Sequence, residues 1–231
     1  MTLLLLAIAP VSIIILYVYF KDKYEKEPMR LLGYNFLLGA FVSVFITTLL
    51  YVIIEIPFPL NTPDSILEQF IKAFFVVGLS EEFSKYIIVR YYAQPQKDYN
   101  EPFDGIVYAV MVSMGFATTE NIMYVIHGGM EVAIIRAFTA VPAHAVFGIL
   151  MGYFMGRAKF SDNRILLNLT GFFLAVFFHG AYDFFLFIDF VPGIWSGAFV
   201  SLLVGIVLSR RAIKSHQKIS YFRPKQSERQ I

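Results

Sequence analysis

The 231-residue chain contains no cysteine, which excludes disulfides, thiolate metal ligands and a cysteine nucleophile. Charge is scarce: Asp, Glu, Lys and Arg make up 16% of the residues, against roughly 25% in a soluble globular domain. The basic residues outnumber the acidic ones only by 19 to 17, too small an excess to suggest a nucleic-acid partner. The opening run MTLLLLAIAPVSIIILYVYF has no basic flank before it, and Ala7 and Ala9, its only A-x-A pattern, are followed by Pro10. These features argue for a retained transmembrane helix over a cleaved signal peptide. There is no repeat of fixed period and no inverted symmetry, which weighs against a secondary transporter.

What the chain has in abundance is apolar sequence, with 58% hydrophobic and 17% aromatic residues. Apolar windows fall near 1–20, 31–56, 66–90, 103–126, 131–156, 165–188 and 192–210, each about the length a helix needs to cross the hydrocarbon of a bilayer. The expectation is an all-α, polytopic bundle of about seven transmembrane helices. Basic residues cluster in alternate loops (Lys21 to Arg30, Arg90 and Lys97, Arg157 to Arg164, and the tail from Arg210), leaving only Lys72, Lys85 and Arg136 elsewhere. By the positive-inside rule the N-terminus lies outside and the C-terminus in the cytoplasm. Short connections such as PFPLNTPDS (57–65) and AQPQKDYNEP (93–102) leave no room for a second folded domain. The chain therefore divides into a membrane domain, 1–210, and a basic cytoplasmic tail, 211–231.

Ionisable groups inside such windows cost a few kcal/mol each on insertion scales, so they face the bundle interior and mark function. GLSEEFSKYIIV, at 78–89, places Glu81, Glu82 and Lys85 in the third window. Lys85 stands at i+4 and i+3 from the two acids and can pair with one on the same helix face. The other then needs a proton, a metal or another partner, the state of a general base. The fourth window carries Glu120 and Asn121, which could equally tie two helices together. In the fifth, His144 heads a ridge of Gly148, Gly152 and Gly156, spaced by four for close helix packing; the bland alternative is a hydrogen-bonded interfacial histidine. In the sixth, His179 and Asp183 share a face at i and i+4, so the Asp can accept from one ring nitrogen and leave the other for a metal, a water or an oxyanion. His127 and His216 are read as solvated bystanders, and Arg136 as an interfacial anchor. Ser80 and Ser84 have no histidine at helical spacing, which removes a serine nucleophile. Counted from the helix ends, the acids and imidazoles fall at similar depths and can converge on water.

These elements resemble the PrsW family of intramembrane proteases, in the superfamily of CAAX prenyl endopeptidases and the Aph-1 subunit of gamma-secretase. The resemblance runs over nearly the whole chain: KDKYEKEP (21–28), EExxK (Glu81, Glu82, Lys85), FDGIVY (103–108), GFATTEN (115–121), RAF and HAVFGILMGYFMG in the fifth window, and HGAYDF (179–184). It implies a site-1 cut in a single-pass, membrane-anchored anti-sigma factor such as RsiW, after which a site-2 protease releases an extracytoplasmic-function sigma factor under envelope stress. The family's essential acids fall on Glu81 and Glu82 and its essential histidine on His179, with His144 and Glu120 at other motif positions. The CAAX-type enzymes carry FxxxH, where this chain has Phe116 followed by Glu120. Two chemistries follow. In one, Zn²⁺ is held by His144, His179 and a carboxylate, Glu82 or Glu120, with Asp183, Lys85 and Asn121 in supporting positions. In the other, Glu81 is the base and an imidazolium stabilises the oxyanion without a metal. A non-catalytic Aph-1-like scaffold and a proton-coupled transporter are the rival functions, and the sequence does not set the oligomeric state.

Overall fold

The computed structural model describes residues 2–57 and 59–224, and among these it is all helical. The rods are α1 (Thr2–Lys21), α2 (Met29–Glu55), α3 (66–93), α4 (Pro102–Phe138), α5 (Ala140–Lys159), α6 (Arg164–Phe187) and α7 (Ser196–Ile219). Five helices, with α4 and α5 counted as one of 58 residues, are long and apolar enough to cross a membrane. α3 falls outside that count because it carries Glu68, Lys72, Glu81, Glu82, Lys85 and Arg90. The outer surface is apolar: Phe41, Phe45, Phe75, Phe173, Phe177 and Leu203 are all exposed. The interior holds Glu, Lys, Asn and His. This inversion of the soluble pattern is what hydrocarbon solvent demands, since lipid solvates Phe and Leu but not a carboxylate. The chain is a multi-pass membrane protein.

α4 is the central rod, packed against α1, α2 and α5. Its start is set locally: Pro102 occupies the first turn, where a missing N–H costs nothing, and Glu101 and Asp104 form a reciprocal capping box. The glycine ridge of α5 lies on α4 as its spacing predicts. A Cβ on Gly152 would collide with the Gly105 carbonyl, and one on Gly156 with that of Pro102. Backbones therefore meet where side chains are missing, which brings α5 and its histidine against α4.

The windows near 103–126 and 131–156 predict a break between them, which the structure places at Gly129, but the fifth rod starts at Ala140 and not at 131. The helix runs on to Gly128, breaks at Gly129, whose φ of 70° and ψ of −154° suit glycine, and resumes as a short arm to Phe138. The chain then turns at Thr139 into α5. α7 also outruns its apolar window, continuing to Ile219. Residues 225–231 of the basic tail lie outside the described residues. His216 is not a solvated bystander: it is fully buried, stacked on Tyr153 with ring centroids 4.4 Å apart. His127 is exposed.

At the opposite end of the bundle from the Gly129 break, the α1–α2 loop folds over the start of α4. Burial pushes the Asp22 carboxyl up to about 7. The Glu27 carboxyl is pushed up by burial and then by the neighbouring Asp104 charge.

Candidate active site

The costly residues of four helices meet in one network. From α3, the Lys85 ammonium donates to Glu82 Oε1 at 2.8 Å and to Glu81 Oε2 at 3.3 Å. A lysine serving only one of the two acids is the sequence expectation; the structure has it bridging both. It also meets His144 Nδ1 of α5 at 3.2 Å and lies 4.2 Å from the centre of the Phe116 ring. An ammonium has only protons to offer, so His144 Nδ1 accepts, and its Nε2–H donates to Glu120 Oε2 of α4 at 2.8 Å. His179 of α6 stands between the acids, with Nδ1 2.8 Å from Glu82 Oε1 and Nε2 3.8 Å from Glu81 Oε2. Asp183 Oδ2 lies 3.3 Å from the same Nε2. One free ring nitrogen on His179 is thus a correction: both face carboxylates, because the helix turn that brings Asp183 to one side also presents the other to Glu82. The Phe147 ring stacks on His179 at 4.7 Å and fixes its plane.

Glu81, Glu82, Lys85, His144 and His179 are all at most 4% exposed. Four of them, Glu81, Glu82, His144 and His179, each present a ligand atom within 4.8 Å of the others. Two imidazoles and two carboxylates form a donor set suited to zinc, and Glu82 Oε2 is buried without a hydrogen-bond partner. The residues therefore fit a metal ion, with Glu81 as a further donor beside the expected His144, His179 and Glu82. Glu120 is not in that group, since its Oε2 serves both His144 and Arg136.

A cavity of about 550 Å³ opens onto the cluster. Glu81, Glu120, His144, His179 and Asp183 line it, whereas Glu82 lies behind His179. The lining continues to Glu55, Lys72 and Phe187, so the cavity runs toward the end of the bundle that carries the 56–65 and 188–195 connections.

Two partners escape a one-dimensional reading. Tyr51 of α2 donates to Glu81 Oε1 at 2.9 Å. Its signal is a hydroxyl stripe, since Ser43, Thr47 and Tyr51 are spaced by four, and Ser43 and Thr47 bond Ser84 at 2.6 and 2.9 Å. Ser84 thus ties α2 to α3 and has no histidine beside it. Arg136 is not an interfacial anchor. The break at Gly129 folds the arm back, and Arg136 meets Glu120 Oε2 and Asn121 Oδ1, each at 2.8 Å. Asn121 in turn donates to the Ala7 carbonyl of α1 at 2.8 Å. No local sequence rule predicts a cation reaching back fifteen residues across a helix break.

Comparison with known proteins gives the family. The family described as PrsW family intramembrane metalloprotease matches residues 27–210. The chain is 36% identical over 218 residues to Protease PrsW of Geobacillus kaustophilus, covering 94% of this chain and 92% of that one. It is 41% identical over 187 residues to Protease PrsW of Oceanobacillus iheyensis, covering 80% and 83%. To Protease PrsW of Bacillus subtilis it is 36% identical over 181 residues, covering 78% and 80%. No solved structure matches the chain. A polytopic helical bundle, a buried Glu–Glu–His–His cluster open to a cavity, and relatives that share most of the sequence lead to one conclusion: the chain belongs to the PrsW family of intramembrane metalloproteases.

Proposed function

We propose that the cluster hydrolyses a peptide bond in a membrane-anchored anti-sigma factor of the RsiW kind, making the first cut in the release of an extracytoplasmic-function sigma factor. The observation that carries it is the division of labour between the two adjacent acids. Glu81 lines the cavity and Glu82 does not. Glu81 is then the base: its carboxylate, held by Tyr51 and Lys85, takes a proton from the attacking water. Glu82 accepts from His179 Nδ1 and so fixes the ring with Nε2 between Glu81 and Asp183, where it passes the proton to the leaving amine. A zinc ion would be held by Glu82, His144 and His179 in place of hydrogen bonds these residues now make, supplying Lewis acidity to the scissile carbonyl and acidifying water, and Glu81 alone would then carry the proton to the leaving amine. Without the ion, an imidazole N–H facing the oxyanion contributes about 3 to 4 kcal/mol. Arg136 holds Glu120 by a charged bond, and Glu120 orients His144.

The orientation belongs to the same proposal: N-terminus outside, tail in the cytoplasm, and the cavity mouth toward the outer side. The test is co-expression with a tagged single-pass substrate. Glu81→Gln is expected to abolish cleavage at unchanged abundance, while the cut in wild type maps to the outer half of the substrate. Loss of Glu81→Gln from the membrane without a specific loss of cleavage would favour a scaffold instead. A cytoplasmic cut would reject the orientation, and active enzyme without stoichiometric metal would end the zinc version.

A further inference from the structure

A second group of acids lies at the other end of α4. The α1–α2 loop brings Asp22, Glu25 and Glu27 against Glu101 and Asp104 at the α4 start, and one oxygen each of Glu25, Glu27 and Asp104 lies within 4.8 Å of the others. Asp22, Glu27, Glu101 and Asp104 are at most 3% exposed. None of the five forms an ion pair among the described residues. Both oxygens of Asp22, both of Glu27, Glu25 Oε2, Glu101 Oε2 and Asp104 Oδ1 are buried with no hydrogen-bond partner. Asp104 Oδ2 is occupied by the Asn100 and Glu101 N–H groups, at 2.6 and 2.8 Å, which leaves Oδ1 for the cluster. The two nearest lysines are engaged elsewhere: Lys26 bonds the Tyr19 and Asp22 carbonyls, and Lys159 bonds the Gln96 carbonyl at 2.7 Å.

Helix capping explains one oxygen of Asp104 and leaves the unpartnered carboxylate of Glu27 unexplained. Burying that many acceptors with no donor is unfavourable, so something positive belongs there. The ligand atoms are all oxygen, which selects a hard cation over zinc or copper. Their 4.8 Å spread is about the distance between opposite oxygens around calcium, whose bonds run about 2.3 to 2.6 Å; magnesium bonds are near 2.1 Å, so it would bind here with waters completing its shell.

We infer that Glu25, Glu27 and Asp104, with Asp22 and Glu101 around them, form a binding site for a hard divalent cation, calcium or magnesium, that clamps the α1–α2 loop to the start of α4. The site is independent of the hydrolytic cluster and of the proposed substrate. Its charge would neutralise the loop acids and hold together two segments that otherwise repel. Gln217 of α7 bonds the Lys21 carbonyl beside it, so the clamp joins the end where α1, α4 and α7 meet.

The test uses the full chain in detergent, stripped with chelator and dialysed to equilibrium against calcium chloride or magnesium chloride separately, with elemental analysis and a thermal unfolding midpoint. One of the two is expected to bind at about one per chain with a dissociation constant of about 1 mM or tighter and to raise the midpoint. Glu27→Gln weakens it by about tenfold or more, and Glu82→Gln, in the other cluster, leaves it unchanged. Should Glu27→Gln fail to fold, Glu25→Gln, at a half-buried position, gives the same loss. No stoichiometric calcium or magnesium in wild type, meaning that the acids carry protons instead, overturns the site. So does binding that survives both loop substitutions or disappears in Glu82→Gln.

Discussion

Two buried acid clusters sit in this molecule, and they solve the same problem differently. Around Glu81 and Glu82, cations and donors come from the protein itself: Lys85, Arg136, Tyr51 and two imidazoles. Around Glu27 and Asp104, among the described residues, no side chain donates to the free carboxylate oxygens, and the nearby Lys26 and Lys159 bond backbone carbonyls instead. The first lies between membrane-spanning rods, where an unpaired carboxylate is costly, and its counter-charges are covalently part of the bundle. The second lies at a loop, where ions and protons from water can reach it. Internally paired acids become dependent on their partners, and unpaired ones depend on solution conditions.

That contrast can be broken most severely at Lys85. Lys85→Met leaves two buried acids without their shared cation and is expected to cost about 3 to 5 kcal/mol, read as loss of folded protein in membranes; adding Glu82→Gln should restore part of it. The corresponding change in the loop is expected to have the opposite sign. In chelated protein Asp22→Asn removes an unpaired buried charge and leaves the unfolding midpoint unchanged or higher. A large destabilisation there would erase the distinction between the clusters. Next in size is the seam that brings α5 onto α4. Gly156→Ala meets the Pro102 carbonyl backbone and is expected to cost about 1 to 3 kcal/mol, with cleavage falling because His144 rides on the same helix. Arg136→Gln loses a charged bond to Glu120, worth about 1.5 to 3 kcal/mol; slower cleavage at normal abundance would confirm that the arm serves the site. The smallest effect belongs to Tyr51→Phe, which removes one hydrogen bond to Glu81, worth about 1 kcal/mol, and should slow cleavage only severalfold.

Much of the site was legible one residue at a time. Glu81, Glu82, His144 and His179 stand out because each is an expensive residue in an apolar window, and cost alone signals a purpose. Tyr51 was silent because a tyrosine in a membrane helix is cheap. Arg136 escapes such a reading because residues 131–138 form a short arm folded back from Gly129 and not the start of the next rod, which no periodicity announces. His216 escapes it for a related reason: its basic neighbours suggest solvent, but the helix turn places it against Tyr153.

The amino-acid order alone determined the all-helical membrane class, the approximate rods, the glycine ridge of α5 and the identity of the costly side chains. These follow from length, hydropathy and the 3.6-residue turn, which are properties of contiguous sequence. Only the tertiary structure decided that Lys85 bridges both acids, that both nitrogens of His179 face carboxylates, that Glu82 lies behind the ring and Glu81 in the cavity, and that Glu25 and Glu27 meet Asp104. Those relations join residues far apart along the chain, and they depend on how helices cross. Crossing is set by the summed packing of many side chains, which no short stretch contains.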